Sequence, residues 1–173
     1  MPQGPGVALI SPGGGNSVEL ADICARCGLN VPVLSRETQK AISEVIPHVN
    51  TSVANPVDLG AFGYVPEVVD IVIDACARDR RVDAVFIVLV IDVLMKREGW
   101  WGIDVEKLVD TIAEHGKRVS KPLAVIMPDL IYGDLQVAGE RFGLFDKLVK
   151  NGIPVYPHVE RAALAAKKLL DRR

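Results

Sequence analysis

The sequence has little net charge, no long hydrophobic run and few aromatic side chains. Its 20 Lys and Arg and 22 Asp and Glu residues give a formal net charge of −2, so the charge balance supports neither a nucleic-acid-binding groove nor a basic membrane-docking face. The longest apolar run, 84–91, is far shorter than the roughly 20 residues of a membrane-spanning helix. No basic stretch followed by a hydrophobic segment opens the chain, so we expect no secretory signal.

Cysteine is also scarce. The three cysteines are Cys24, Cys27 and Cys76, and an odd number without a secretory signal favours a cytoplasmic protein with reduced thiols. Cys24 and Cys27 have the spacing of a redox or metal pair, but they fall within a predicted helix and have no second pair of ligands. We therefore interpret them as small apolar side chains and expect no metal site.

Apolar residues, in contrast, are plentiful, at 49% of 173 residues. That length and composition predict one compact domain, spanning 1–173, with a core that needs no disulfide or metal. Predicted strands lie at 7–10, 84–91, 123–127 and 153–156, with a weaker candidate at 51–54. Predicted helices lie at 16–27, 35–46, 66–78, 104–119, 134–150 and 159–170.

The alternation of these strands and helices predicts an α/β fold. We expect a flavodoxin-like, three-layer domain with a mostly parallel, five-stranded sheet in the order 2-1-3-4-5. Asn16 and Glu19 have the spacing of a capping box and predict the start of the first helix. Gly139 and Gly143 interrupt the helical pattern at 134–150.

A run of three glycines separates the first predicted strand from the first helix. Glycines let backbone N–H groups approach an anion, and the start of a helix adds the positive end of its dipole. Ligands of open parallel sheets bind beyond the carboxyl ends of the strands. The loop therefore predicts an anion site, with a plain strand-to-helix turn as the alternative. The candidate residues are Gly13, Gly14, Gly15, Asn16 and Ser17. Neither a Walker A sequence nor a dinucleotide motif is present.

Two further segments fall at the same predicted edge. One contains Asn55, Asp58 and Gly60, with a strand-end turn as the alternative interpretation. The other is the loop that carries Trp100 and Trp101, either a partner-binding patch or a plug over the end of the sheet. His48, His115 and His158 each stand apart in the sequence from any cysteine or carboxylate cluster with the spacing of metal ligands. We therefore assign no catalytic residue and interpret His158 as a capping or solvent-contacting side chain.

The order of several segments carries a family resemblance. Most specific in combination are Asn-Pro-Val-Asp-Leu at 55–59 and Gly-Ile-Pro-Val-Tyr-Pro at 152–157; the other matching stretches are 7–15, 29–38, 82–85, 121–122 and 160–162. Over nearly its whole length, the chain resembles the flavodoxin-like, C-terminal CoA-ligase domain of the NDP-forming acyl-CoA synthetases, the superfamily that includes succinyl-CoA synthetase.

The resemblance implies a chemistry. These enzymes interconvert acyl-CoA, phosphate and a nucleoside diphosphate with the free acid, CoA and the triphosphate, through an acyl phosphate and a phosphohistidine. By resemblance, the glycine loop and the helix after it would face the phosphohistidine. Phosphate and acyl-pocket contacts would come from Gly13, Gly14, Gly15, Asn16, Ser17, Asn55, Asp58 and Gly60.

The same resemblance implies missing components. The phosphohistidine, the CoA-binding domain and the ATP-grasp domain lie elsewhere in such enzymes. The chain alone would therefore be inactive and bind no cofactor, while the full enzyme would use CoA, ADP or ATP, and Mg. Expected partners are the CoA-binding and ATP-grasp domains or subunits. A homo-oligomer of this chain is a further alternative.

One departure keeps a second hypothesis open. At 127–129 the chain has Met-Pro-Asp, where the family often has a pair of glycines. The alternative is a non-catalytic, flavodoxin-like module that binds a small anion or a protein partner, which the two tryptophans favour. A flavin or nucleotide carrier is a further alternative.

Overall fold

A computed structural model of the chain describes residues 1–92, 103–129 and 133–172. The loop with Trp100 and Trp101 lies outside these ranges, and so does its predicted role. Within the described ranges, every helix is too short or too polar to cross a lipid bilayer.

The described residues form a parallel sheet flanked by helices. Its strands are β1 (Val7–Ser11), β2 (Val57–Asp58), β3 (Ala84–Val88), β4 (Leu123–Ile126) and β5 (Val155–Tyr156). The order is β2-β1-β3-β4-β5, and every neighbouring pair is parallel. This confirms the predicted fold class and strand order.

The helices connect the strands. They are α1 (Gly14–Arg26), α2 (Arg36–Ser43), α3 (Pro66–Arg78), α4 (Val105–Arg118), α5 (Leu135–Lys150) and α6 (Val159–Asp171), with a 3-10 helix at Gly60–Tyr64. Ser35 caps α2 by accepting the N–H of Thr38, and Pro66 opens α3, both as the sequence predicts. α5 runs unbroken through Gly139 and Gly143.

Both faces of the sheet are buried. Ala8 and Ile10 of β1 point into a core formed with α3 and α4, whereas Val7 and Leu9 point into a second core formed with α1 and α6. A strand covered on both faces is apolar at successive positions, which explains why β1 and β3 are so evident in the sequence. The arrangement puts the N-terminus of α1 beyond the carboxyl end of β1.

The predicted strand at 51–54 was wrong. The second strand is Val57–Asp58, which pairs with Ile10 and Ser11, while Ser52 makes an isolated antiparallel bridge to Asp58. The reason lies in Asn55, whose side chain hydrogen-bonds the backbone of β1 where a longer strand would pair. β3 also ends earlier than the apolar run suggested, at Val88.

The predicted start of the first helix was also wrong. α1 begins two residues before Asn16, with Gly13 at the N-cap and no side-chain cap. The Gly13 carbonyl already accepts the N–H of Ser17 at 3.3 Å, so the helical hydrogen bonds begin before the proposed capping box. Gly14 and Gly15 therefore form the first turn of α1, with Gly13 as its N-cap. We keep the name glycine loop for residues 13–17, which include this turn.

Candidate functional site

The glycine loop lies at the carboxyl end of β1 and is anchored at Gly13. The hydroxyls of Ser11 and Ser17 each donate a hydrogen bond of 3.2 Å to the Gly13 carbonyl. Both serines are buried, so the hydrogen bonds that hold the Gly13 carbonyl lie inside the protein rather than at its surface. The first N–H groups of a helix have no acceptor within it, and Gly13 at the N-cap offers no side chain to accept them. These donors point beyond the edge of the sheet.

The glycines of this loop differ in what surrounds them. At Gly13 and Gly15, a Cβ would meet no heavy atom of the described residues within 4 Å. At Gly14, a Cβ would lie 2.9 Å from Oδ2 of Asp58. The internal packing thus accounts for Gly14, whereas Gly13 and Gly15 border open space where a ligand could approach the backbone.

Asp58 and Gly60 form a compact turn beside the loop. The Asp58 carboxylate accepts the N–H of Gly60 at 2.9 Å, and the N–H of Leu59 donates to the Ser11 carbonyl at 2.9 Å. Gly60 has a φ of 52°, and a Cβ there would lie 3.2 Å from the Asn50 carbonyl oxygen. The turn therefore holds a negative charge against the Gly14 side of α1.

The Asn55 side chain lies against the middle of β1 rather than in the glycine loop. Its oxygen accepts the N–H of Leu9 at 2.9 Å, and its amide nitrogen donates to the carbonyls of Val7 at 2.7 Å and Pro32 at 3.0 Å. Both amide hydrogens are thereby used within the chain. The structure gives Asn55 a role in holding the segment before β2 to the sheet.

A cavity of about 400 Å³ adjoins this region beyond the ends of β3 and β4. Its walls come from α1, the start of α6 and two strand ends, and its lining residues are Glu19, Leu20, Ile23, Val88, Val90, Ile126, Pro128, Pro157, His158, Val159 and Glu160. The floor is apolar, and Glu19, His158 and Glu160 contribute polar groups. Because α1 forms one wall, the cavity and the glycine loop share a helix.

Sequence reasoning did not find this cavity, because its lining comes from distant segments that are individually ordinary. The one available signal was the Pro157–His158 pair at the expected ligand edge. His158 is exposed at the N-cap of α6 and makes no side-chain cap there.

An ion cluster ties α5 to the same edge of the sheet. Asp92, which follows β3, is fully buried, and its Oδ1 lies 3.6 Å from Nε of Arg141. The Arg141 guanidinium also donates to Asp129 at 2.6 Å. Asp129 belongs to the Met-Pro-Asp segment where the chain departs from the family pattern. Among the residues described, no group of three or more His, Cys, Asp or Glu side chains is arranged to hold a metal ion.

Two residues that were not assigned to a functional site from the sequence, His115 and Cys24, have structural roles. His115 is buried in α4, and its Nε2 lies 2.6 Å from Oδ1 of Asp70 on α3, a contact between two helices that the sequence spacing did not reveal. Cys24 is buried as predicted, and burial, with a smaller effect of Cys27, raises the pKa of its thiol to about 12. A thiol this far from ionisation is a poor nucleophile or metal ligand.

The chain is similar to solved structures from two archaea, although no protein-family model and no curated protein matches it. It is 25% identical to PH0766 from Pyrococcus horikoshii OT3, with a TM-score of 0.78, over 99% of this chain and 36% of that one. It is 26% identical to the apo form of dinucleotide forming acetyl-coenzyme A synthetase 1 from Candidatus Korarchaeum cryptofilum, with a TM-score of 0.68, over 98% of this chain and 34% of that one.

The same synthetase in complex with phosphate and ADP matches with a TM-score of 0.68 and 25% identity, over 98% of this chain and 33% of that one. The chain therefore spans about a third of the length of the structures that it matches. These matches confirm the resemblance to the CoA-ligase domain of the NDP-forming acyl-CoA synthetases.

Proposed function

We propose that the chain is the CoA-ligase domain or subunit of an NDP-forming acyl-CoA synthetase. In this role, the start of α1 and the glycine loop stabilise the phosphate or phosphohistidine of acyl-phosphate chemistry. The observation that carries the proposal is the open space at Gly13 and Gly15, at a helix start whose N-cap has no side chain. The match to a synthetase in complex with phosphate and ADP supports this class of ligand.

The charge of the helix start suits this role. An α-helix carries roughly half a positive charge at its N-terminus, and the first-turn N–H groups of α1 are available as donors. In phosphoryl transfer, negative charge is spread over the oxygens of the transferred group, and positioned donors stabilise it. Because Ser11 and Ser17 fix the Gly13 carbonyl, the loop needs little reorganisation when the anion arrives.

Asp58 determines the side from which an anion approaches. Its carboxylate lies against Gly14, so it repels a phosphate on that side through like charge. Gly13 and Gly15 lie on the open side of the helix start, away from Asp58, where an anion can approach the backbone. We therefore place the phosphate oxygens beside Gly13 and Gly15 and assign Asp58 to orienting the loop rather than to contact with the anion.

The neighbouring cavity would accommodate the acyl group. Its walls at Leu20, Val88 and Ile126 are apolar, and burial of hydrocarbon against such side chains is favourable. α1 leads from the proposed phosphate position to the cavity wall. This is the arrangement that an acyl phosphate needs, with its charged end at a helix start and its apolar end in a cavity.

The remaining chemistry belongs to other parts of the enzyme. We assign CoA, ADP or ATP, Mg²⁺ and the phosphohistidine to CoA-binding and ATP-grasp domains or subunits, and we expect the chain alone to be inactive. Since no metal-binding cluster occurs in the part of the chain that the structure describes, no step here is assigned to a metal held by this chain. The alternative of a non-catalytic module rested on Trp100 and Trp101, which lie outside the described ranges.

A titration of the ¹⁵N-labelled chain with inorganic phosphate tests the proposed site. We expect saturable amide shifts at Gly13 and Gly15, and their loss in Gly15→Val, because the added side chain blocks access to the backbone. Ala25→Val is the control, since it introduces the same side chain at an exposed position at the other end of α1. Shifts that avoid the loop, or that persist in Gly15→Val, would contradict the proposed site.

A further inference from the structure

One face of α1 runs from the helix start to the cavity beyond β3 and β4. Residues four apart in a helix lie one turn after another on the same face, and Gly15, Glu19 and Ile23 have that spacing. Glu19 and Ile23 line the cavity, whereas the Cβ position of Gly14 is directed at Asp58. The open side of the helix start therefore continues along α1 into the cavity, and the acidic turn lies on a different side.

The length of that face sets how far a bound acyl chain must reach. At about 1.5 Å per residue, Glu19 lies about 6 Å beyond Gly15 along the helix axis and Ile23 about 12 Å beyond it, although their side chains lean back toward the helix start. The methyl of an acetyl group is one carbon–carbon bond of about 1.5 Å from its carbonyl, so it ends short of this wall. An acyl chain of about four to six carbon atoms, held by its phosphate at Gly15, reaches the wall.

The cavity offers such a chain an apolar lining of limited size. Leu20, Val88 and Ile126 are buried and carry no polar side-chain atom, so each methylene that enters strengthens binding by about fourfold. The volume of about 400 Å³ is near the lower end of the roughly 300–1,000 Å³ of ligand sites. The cavity therefore suits a short hydrocarbon chain better than a long fatty acyl chain.

The charges around the cavity disfavour a second carboxylate on the substrate. The ionisable lining residues are Glu19, His158 and Glu160, all exposed, and the described lining includes neither lysine nor arginine. A dicarboxylic acyl group such as succinyl would bring its free carboxylate toward two like charges. Burying that carboxylate without a cation to pair with it is costly. The lining therefore selects against acids with a second negative charge.

We propose that the acyl group handled at this site is an uncharged hydrocarbon chain of about four to six carbon atoms, rather than acetyl or a dicarboxylic acyl group. Ile23 lies farthest from Gly15 on the shared face of α1 and limits the length of the chain that fits. This substrate class rests on the proposed synthetase function, because Gly15 is the proposed phosphate position.

Turnover by the assembled synthetase compares acyl groups directly. This chain, together with the CoA-binding and ATP-grasp parts, is supplied with acetate, butyrate, hexanoate or succinate, and kcat/KM for each acid is measured from acyl-CoA formation. We expect butyrate and hexanoate to exceed both acetate and succinate by about 10-fold or more. Acetate or succinate used as well as butyrate would overturn the proposed acyl class and leave the synthetase function standing. An assembly that turns over none of the four acids would contradict the synthetase function itself.

Ile23→Phe tests the assigned wall. The larger side chain shortens the cavity, so we expect the ratio of kcat/KM for hexanoate to that for butyrate to fall by about 10-fold or more. Ile71→Phe is the matched control, because Ile71 is 41% exposed on α3 and does not line the cavity. The ratio compares two acids on one protein, so a smaller folded fraction does not change it. Ile23→Ala should raise the ratio, and a ratio unchanged in both Ile23 variants would remove Ile23 from this role.

Binding to the chain alone tests the cavity without turnover. In the chain with ¹³C-labelled isoleucine and valine methyl groups, we expect hexanoate to shift the signals of Ile23, Val88 and Ile126 saturably. Succinate at the same concentrations should leave them unchanged, and Ile71 is the internal control. Absent cavity shifts, or equal shifts with succinate, would overturn the hydrocarbon class whatever the turnover. Cavity shifts with hexanoate alone, combined with an inactive assembly, would uphold the hydrocarbon preference and reject only the synthetase function.

Discussion

The side-chain oxygen of Asn55 accepts a 2.9 Å hydrogen bond from the backbone N–H of Leu9, in the middle of β1. Its amide also donates to the carbonyls of Val7 and Pro32. Asn55→Ala removes all three bonds, and we expect it to lower the free energy of unfolding by about 3 kcal/mol. Urea unfolding measures this, with exposed Asn30→Ala as the control, expected within about 0.5 kcal/mol of the original chain. Unchanged stability combined with weaker phosphate binding would instead place Asn55 in the ligand pocket.

Gly14 and Gly15 are neighbours in α1 with opposite expectations for stability. Alanine at Gly14 would put its Cβ 2.9 Å from Oδ2 of Asp58, whose other oxygen is held by Gly60, so we expect a loss of about 1 kcal/mol. Alanine at Gly15 meets open space and should be neutral or stabilise by up to about 1 kcal/mol. Thermal unfolding of the two variants measures the difference, and equal stabilities would show that Asp58 does not contact this helix start.

Asp79 should make stability depend on pH. Burial raises its pKa, but hydrogen bonds from the N–H groups of Ser35 at 2.6 Å and Arg81 at 2.9 Å outweigh this, so the pKa lies below its ordinary value. A carboxyl with a lowered pKa stabilises the fold above its unfolded pKa of about 4, and this contribution disappears as the pH falls through the folded value.

Asp79→Asn tests that expectation. We expect a loss of about 2 kcal/mol at neutral pH, because the amide cannot serve both N–H donors as a carboxylate does. The difference from the original chain should shrink as the pH falls below about 4. Urea unfolding at a series of pH values measures it, and a difference independent of pH would contradict the ionised role of Asp79. The contact between Ser35 and Asp79 also gives a structural reason for the family-like sequence at 29–38. Ser35 both caps α2 and donates its backbone N–H to Asp79.

The cysteines should differ in reactivity. Burial raises the pKa of the Cys24 and Cys76 thiols to about 12, whereas Cys27 at the end of α1 is only half-buried. We expect iodoacetamide to label Cys27 in the folded chain and all three cysteines after denaturation. Mass spectrometry of the digested protein measures this. Labelling of Cys24 at the rate of Cys27 would contradict the interpretation of the pair as structural.

The fold was predictable because strands buried on both faces are apolar at successive positions. The apolar runs at 84–91 and 123–127 were enough to predict β3 and β4. The N-cap residue Ser35 and the first-turn proline Pro66 located two helices. The second strand was not predictable in the same way. It has two residues, and the side chain of Asn55 replaces part of its pairing.

The candidate site was only partly predictable. The glycine run revealed a helix start suited to an anion, but the approach of Asp58 to Gly14 depends on how β2 pairs with β1. The cavity beyond β3 and β4 is formed by segments far apart in sequence. α5 shows a third limit, because its sequence has two apolar sides and the local pattern does not say which one meets the core.

The central claim is that the start of α1 stabilises phosphate during synthetase turnover. Its most direct test is CoA-dependent formation of nucleoside triphosphate from acyl-CoA, phosphate and nucleoside diphosphate, by this chain assembled with the CoA-binding and ATP-grasp parts. We predict that Gly15→Val lowers kcat by about 100-fold or more, while Ala25→Val, at an exposed position at the other end of α1, retains the original rate. Equal turnover by the two variants would contradict the claim.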